Sequence, residues 1–127
     1  MAGQAKDFKI GIVDDHVQTA ISISQILEFD GFKTYQAYNA EDAIAKTKEQ
    51  KPDLLLLNIR LGKNVSGYDI VQELPQQKIL FLIGGGADPN KIKKFKNVIG
   101  AITKPVDKSK LLKIIRKEFK LPEPKEI

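Results

Sequence analysis

The chain contains no cysteine. That excludes disulfides and thiolate metal sites and leaves no sign of an oxidising compartment. Long apolar runs are also missing. The longest, Leu54–Leu57 and Ile79–Ile83, fall far short of the roughly 20 residues that a membrane-spanning helix needs. Met1 to Lys9 lacks the apolar core of a signal peptide, so a cytoplasmic protein is expected. Histidine occurs once, as His16. A catalytic or phosphotransfer role would need partners for that ring, and it reads as an exposed residue at a helix start.

What remains is a chain of 127 residues, 42% hydrophobic and 29% charged, which fits one soluble domain. A chain of this size buries roughly two thirds of its unfolded surface, enough for a core without staples. The charge is uneven. Between Lys78 and Lys120 stand twelve basic and three acidic residues, a local net of +9, against −4 for the rest of the chain. Such a half would attract an acidic partner or a nucleic acid. Lysines dominate it and base-stacking aromatics are missing, so a solvated helix surface is the plainer reading and nucleic acid is not the expected partner.

Short apolar runs alternate with helix-period segments, the pattern of repeated βα units. Phe8–Val13 reads as a strand, followed by a helix whose Ala20, Ile23 and Leu27 share a face and which stops at Gly31. Phe32–Ala37 is a second strand. Asn39 caps a helix from Ala40 to Glu49, with Glu41 and Asp42 in its first turn. Pro52 breaks that helix, and Asp53–Asn58 is a continuous apolar strand of the kind buried on both faces of a parallel sheet.

Ser66 caps a helix over Gly67–Leu74 that Pro75 closes, with Tyr68 as a packing residue. Ile79–Ile83 is the fourth strand. Gly84-Gly85-Gly86 lacks the Lys-Ser/Thr ending of a P-loop and reads as a strand-to-helix loop. A lysine-rich helix over Pro89–Lys96, a fifth strand at Val98–Thr103 and a last helix capped by Asp107 follow. That helix carries Leu112, Ile115 and Phe119 on one side. Domain boundaries are expected at residues 8 and 120, with 1–7 a leading segment and 121–127 a polar tail or linker start. Five such units predict a doubly wound parallel sheet with helices on both faces. Right-handed crossovers gather the strand C-terminal ends on one edge, where Asp14, Asp15, Asn58, Ile83, Gly84 and Lys104 fall.

Asp14-Asp15 admits two readings. Two carboxylates at a strand end suit a divalent cation that prefers hard oxygen ligands, and one Asp would equally cap the next helix. Lys104-Pro105 at the end of the fifth strand aims an ammonium at the same edge, with a cis bond expected before Pro105.

In this order and spacing, four motifs resemble the receiver domain of response regulators. They are Ile12-Val13-Asp14-Asp15-His16, Pro52–Leu61, Ser66-Gly67-Tyr68 and Gly100–Pro105. The resemblance implies a flavodoxin-like five-stranded sheet of order 2-1-3-4-5 and a role in two-component (phosphorelay) signalling. It implies that an acid pair binds Mg²⁺, an aspartate ending the third strand accepts a phosphoryl group, a Thr or Ser ends the fourth strand, and an aromatic and then a lysine lie in the fifth. Asp14, Asp15 and Lys104 match. The acceptor position holds Asn58, the hydroxyl position falls on Ile83 and the aromatic position on Ala101.

Phosphoryl transfer to a carboxylate needs an anionic nucleophile with Mg²⁺ and a cation on the transferred group. An amide supplies no such nucleophile, so no catalytic residue and no required cofactor are expected. A weak or vestigial Mg²⁺ site remains at Asp14 and Asp15 with Asn58 and the Arg60 backbone carbonyl. Asn58 is expected to donate to Asp14 or Asp15 and to accept from Lys104, and Lys104 is expected to offset the acid pair directly, a triad of two carboxylates and one ammonium. The expected function is a degenerate, phosphorylation-independent interaction module and not an enzyme. The alternative is a conventional phosphoacceptor receiver with its aspartate replaced by Asn58. The expected partner is a signalling protein (a histidine kinase, an output domain or a second copy), held through the basic face at Lys91–Lys96 and the last helix.

Overall fold

The computed structural model describes residues 3–62, 65–85 and 88–123. Five parallel strands, β1 (Lys9–Val13), β2 (Lys33–Ala37), β3 (Leu54–Asn58), β4 (Ile79–Ile83) and β5 (Val98–Thr103), pair in the order β2-β1-β3-β4-β5. The helices between and after them are α1 (Val17–Phe29), α2 (Ala40–Gln50), α3 (Gly67–Glu73), α4 (Pro89–Lys93) and α5 (Lys108–Glu118).

The sheet is covered on both faces. Ile10, Ile12, Leu54, Leu56, Leu80 and Leu82 turn toward α1 and α5, while Val13, Leu55, Leu57, Ile79 and Phe81 turn toward α2, α3 and α4. Strand side chains alternate between faces, so a strand can read Leu-Leu-Leu-Leu only where both sides are dry; all five residues of β3 are buried. Gly11 is required by a close approach: a Cβ there would collide with the Tyr35 ring. Tyr35 needs that space to bring its hydroxyl to within 2.9 Å of Thr47 Oγ1. Burial pushes the Tyr35 hydroxyl up to about 12, since the phenolate would lose water without gaining a cation.

Helix starts follow the expected chemistry. Asn39, Ser66 and Asp107 each accept a backbone N–H of the first turn, from Asp42, Tyr68 and Lys110. One expectation needs correction. The lysine-rich helix stops at Lys93, not Lys96, because Phe95 turns inward to stack on Tyr68. Asn97 then donates to the Leu74 and Gln77 carbonyls as the chain enters β5. At the other end, Leu121 is 8% exposed and packs in the core. Arg116 secures this segment, donating to Pro122 O and, on its other side, to Asp30 Oδ2 at 2.7 Å. In the leading segment, Ala5–Asp7 forms a short 3-10 turn and Ala5 packs on the core. Gly86 and the tail beyond Glu123 lie outside the described residues.

Candidate functional site

β1 ends inside the sheet, and the next residue, Asp14, is fully buried. A buried carboxylate is costly unless its oxygens are answered. Here Lys104 Nζ donates to Oδ2 at 2.6 Å and the His16 backbone N–H donates to Oδ1 at 2.9 Å. The helix-cap reading of the pair does not hold: the N-cap of α1 is His16, with no side-chain cap. Lys104 is aimed by its backbone, whose N–H donates to Ile83 O at 2.8 Å and locks the end of β5 against β4. The Lys104–Pro105 bond is cis, as expected.

Asn58 ends β3 and is 8% exposed. Its Nδ2 lies 2.7 Å from Arg60 O, 3.3 Å from Asp15 Oδ1 and 3.4 Å from Asp14 Oδ1. One short and two long bonds share two N–H groups among three oxygens. Of the two bonds expected of Lys104, the one to Asn58 is not made; the ammonium goes to the acid pair at Asp14, the stronger acceptor because it is charged. Gly67 closes the loop over this residue. Its N–H donates to Ile59 O at 2.5 Å, and a Cβ at this position would stand 2.8 Å from Asn58 O. Arg60 and Ser66 form an isolated antiparallel bridge across the same loop.

Above these residues opens a cavity of about 360 Å³ lined by Asp15, His16, Asn58, Ile59, Arg60, Gly84, Gly85 and Lys104. The expected hydroxyl and aromatic positions contribute neither group. Ile83 is half-buried and packs with Ala101 against the α2–α4 side of the sheet. The aromatics nearby come from elsewhere. Tyr68 sets its ring edge on Phe81 at 5.4 Å and stacks on Phe95 at 5.7 Å, with Lys91 Nζ 4.3 Å above it. Burial, and secondarily the Asp88 carboxylate, raise its hydroxyl pKa.

The sequence reading set His16 aside, yet donor atoms of Asp14, Asp15 and His16 all lie within 4.8 Å of one another. Three consecutive potential ligands at a strand end were the available signal. Receiver domains typically bind Mg²⁺ through such acidic residues, but this donor set fits that ion poorly. Mg²⁺ wants an oxygen shell near ideal octahedral geometry. Asn58 instead points N–H at the three oxygens that would face the ion, and the Lys104 ammonium already holds Asp14.

A sheet of this order with an acid pair, a third-strand end and a lysine converging on one edge is a receiver architecture, and the comparisons with known proteins agree. The family described as response regulator receiver domain matches residues 10–116. The chain is 33% identical over 116 residues to the transcriptional regulatory protein YvrH of Bacillus subtilis, covering 86% of this chain and 48% of that protein. It is 30% identical over 114 residues to protein PilH of Pseudomonas aeruginosa, covering 84% and 93%. The CheY-like receiver domain from Methanospirillum hungatei superimposes with a TM-score of 0.78 at 27% identity, covering 89% and 94%. This chain therefore belongs to the response regulator receiver domain family of two-component signalling. It spans about half the length of YvrH. Receiver domains of this family interact with histidine kinases and output domains and are generally signalling modules without enzymatic activity.

Proposed function

We propose that this receiver domain signals by protein interaction without accepting a phosphoryl group. The observation that carries this reading is the Asn58 amide nitrogen, set among Asp14 Oδ1, Asp15 Oδ1 and Arg60 O. It fills with a neutral donor the position from which a cation would draw the same oxygens. No anionic nucleophile remains at the end of β3. Ile83 offers no hydroxyl to a phosphoryl oxygen, and Ala101 offers no ring to reorient. Lys104, paired with Asp14 at 2.6 Å, serves the pocket as a strut. Mg²⁺ is not required, and any binding at Asp14 and Asp15 is weak. The working unit runs from Phe8 to Leu121, and its partners are signalling proteins.

The test is incubation with acetyl phosphate and Mg²⁺ followed by intact mass. No adduct is expected, and a stoichiometric acid-labile adduct would overturn the reading. A second reading, a conventional phosphoacceptor with its aspartate replaced by Asn58, is favoured by the intact Asp14, Asp15 and Lys104 arrangement. It predicts that Asn58→Asp alone restores robust phosphoryl uptake. Under the leading reading that variant remains a slow acceptor, because Ile83 and Ala101 are unchanged.

A further inference from the structure

α4 has five residues, and a helix that short holds no position by its own hydrogen bonds. What holds it comes largely from α3. Lys91 Nζ lies 4.3 Å above the Tyr68 ring, and four residues on Phe95 stacks on the same ring at 5.7 Å, with the planes 21° apart. Between them Ile92 is buried against the sheet. Past Phe95, Asn97 donates to Leu74 O at 3.1 Å and to Gln77 O at 2.9 Å, at and just beyond the end of α3. The α4 segment is therefore fastened at both ends to α3 and the turn that follows it.

Tyr68 is itself fixed from below. Its ring edge meets Phe81 at 5.4 Å, and Phe81 stands beside Ala101 across β4 and β5. Ala101 is small and packs on the same cluster, so the rings around Phe81 come from α3 and from the segment after α4. The residue before Tyr68 is Gly67, whose N–H donates to Ile59 O and whose Cα faces Asn58 O closely enough to leave no room for a side chain. Both oxygens belong to the main chain. α3 is thus registered on the backbone of β3, and not on the side chain that gives the pocket its chemistry. None of the contacts that hold α4 involves Asp14, Asp15, Asn58 or Lys104.

We propose that Tyr68 is a positioning residue that locks α4 against α3, so that α4 keeps one place whatever the charge of the pocket. A stacked aromatic pair and a cation over its ring each contribute modestly. Together with buried Ile92 and the two Asn97 bonds they oppose any displacement of α4 away from α3. A module that signals without phosphorylation needs no element that moves with its pocket. The lock deepens the role proposed above; it rests on that reading for its purpose, and its geometry stands apart from it.

The test reads amide hydrogen exchange and chemical shifts by NMR on the full chain labelled with nitrogen-15. In Tyr68→Leu, exchange at Ile92, Phe95 and Val98 should rise about tenfold, while the amides of β1 and β3 keep their protection. Tyr68→Phe retains the ring and should retain the protection. An equal rise in β1 and β3 would overturn the proposal by showing that the ring serves global stability alone, and so would the absence of any rise at α4. A second arm changes the pocket. Asn58→Asp, with and without Mg²⁺, should shift the amides beside residues 14, 15 and 58 and leave those of Lys91–Lys96 in place. In Asn58→Asp/Tyr68→Leu the α4 amides should shift as well. Shifts at α4 in Asn58→Asp alone, or none in the double variant, would each overturn the lock. Intact mass after acetyl phosphate, taken on the same samples, judges the phosphorylation-independent reading by itself. An adduct on the unmodified chain with α4 unmoved would sink that reading and support the lock.

Discussion

Asn58 and Tyr35 show how single side chains trade charge for hydrogen bonds in this domain. Asn58 offers a neutral donor at the end of β3, and the carboxylates around it turn to Lys104 and to amide N–H groups for compensation. Tyr35 keeps its proton because it is buried under Gly11, an effect that outweighs the opposing pull of its hydrogen bond with Thr47. Its hydroxyl, raised to about 12 in the fold from 10.0, stays protonated where the unfolded chain ionises. Its contribution to stability is therefore fully present below pH 10.0 and is lost as pH rises toward about 12. Urea unfolding across that range should show falling stability in the parent chain and a flatter profile in Tyr35→Phe. At neutral pH the variant should lose about 1 kcal/mol, because Thr47 is left without its partner.

The elements divide the work between placing the site and forming surfaces. β1, β3 and β5 deliver Asp14, Asn58 and Lys104 to one edge, and parallel pairing keeps those ends together. α2 carries a side-chain cap and an ion pair in its first turns: Asn39 accepts the Asp42 N–H at 2.8 Å, and Asp42 pairs with Lys46 one turn on. Asn39→Ala should cost about 1 kcal/mol of stability, read as a lower urea midpoint with an unchanged slope. The surface pair Asp42–Lys46 adds little beside the cap, since exposed ion pairs are screened. α4 is cut to five residues because Phe95 and Asn97 are held by tertiary partners, which leaves its lysines beside the β5 edge.

At the scale of the whole molecule, the pocket and the segments flanking β1 and α5 are fixed by different contacts. Phe8 stacks on Phe119 with ring centroids 4.2 Å apart, and Arg116 joins the end of α1 to the segment after α5. This fastens the sheet edge opposite the pocket. A ligand that binds only the folded state raises the melting temperature, so the pocket's fit to a cation can be read globally. Millimolar Mg²⁺ should leave the melting temperature of this chain unchanged. Asn58→Asp should lower it without metal, through repulsion among three carboxylates, and Mg²⁺ should restore it. A clear rise with Mg²⁺ in the unmodified chain would contradict the poor fit argued for Asp14, Asp15 and Asn58.

By itself the sequence determined the alternation of strands and helices, the caps at Asn39, Ser66 and Asp107, and the chemistry present or missing at residues 14, 15, 58, 83, 101 and 104. These depend on local periodicity and residue type, which neighbours in the chain already express. Only the tertiary structure decided that Lys104 bonds Asp14 and not Asn58, that the Asn58 amide sits among three oxygens, and that α4 stops at Lys93. It also decided that Leu121 belongs to the core and that Tyr68 and Phe95 meet beneath Lys91. Apart from the bond from Asn58 to Arg60 O, these rest on contacts between residues far apart in the chain. Such contacts are chosen by competition among partners for charge and space, and no stretch of sequence contains all the competitors.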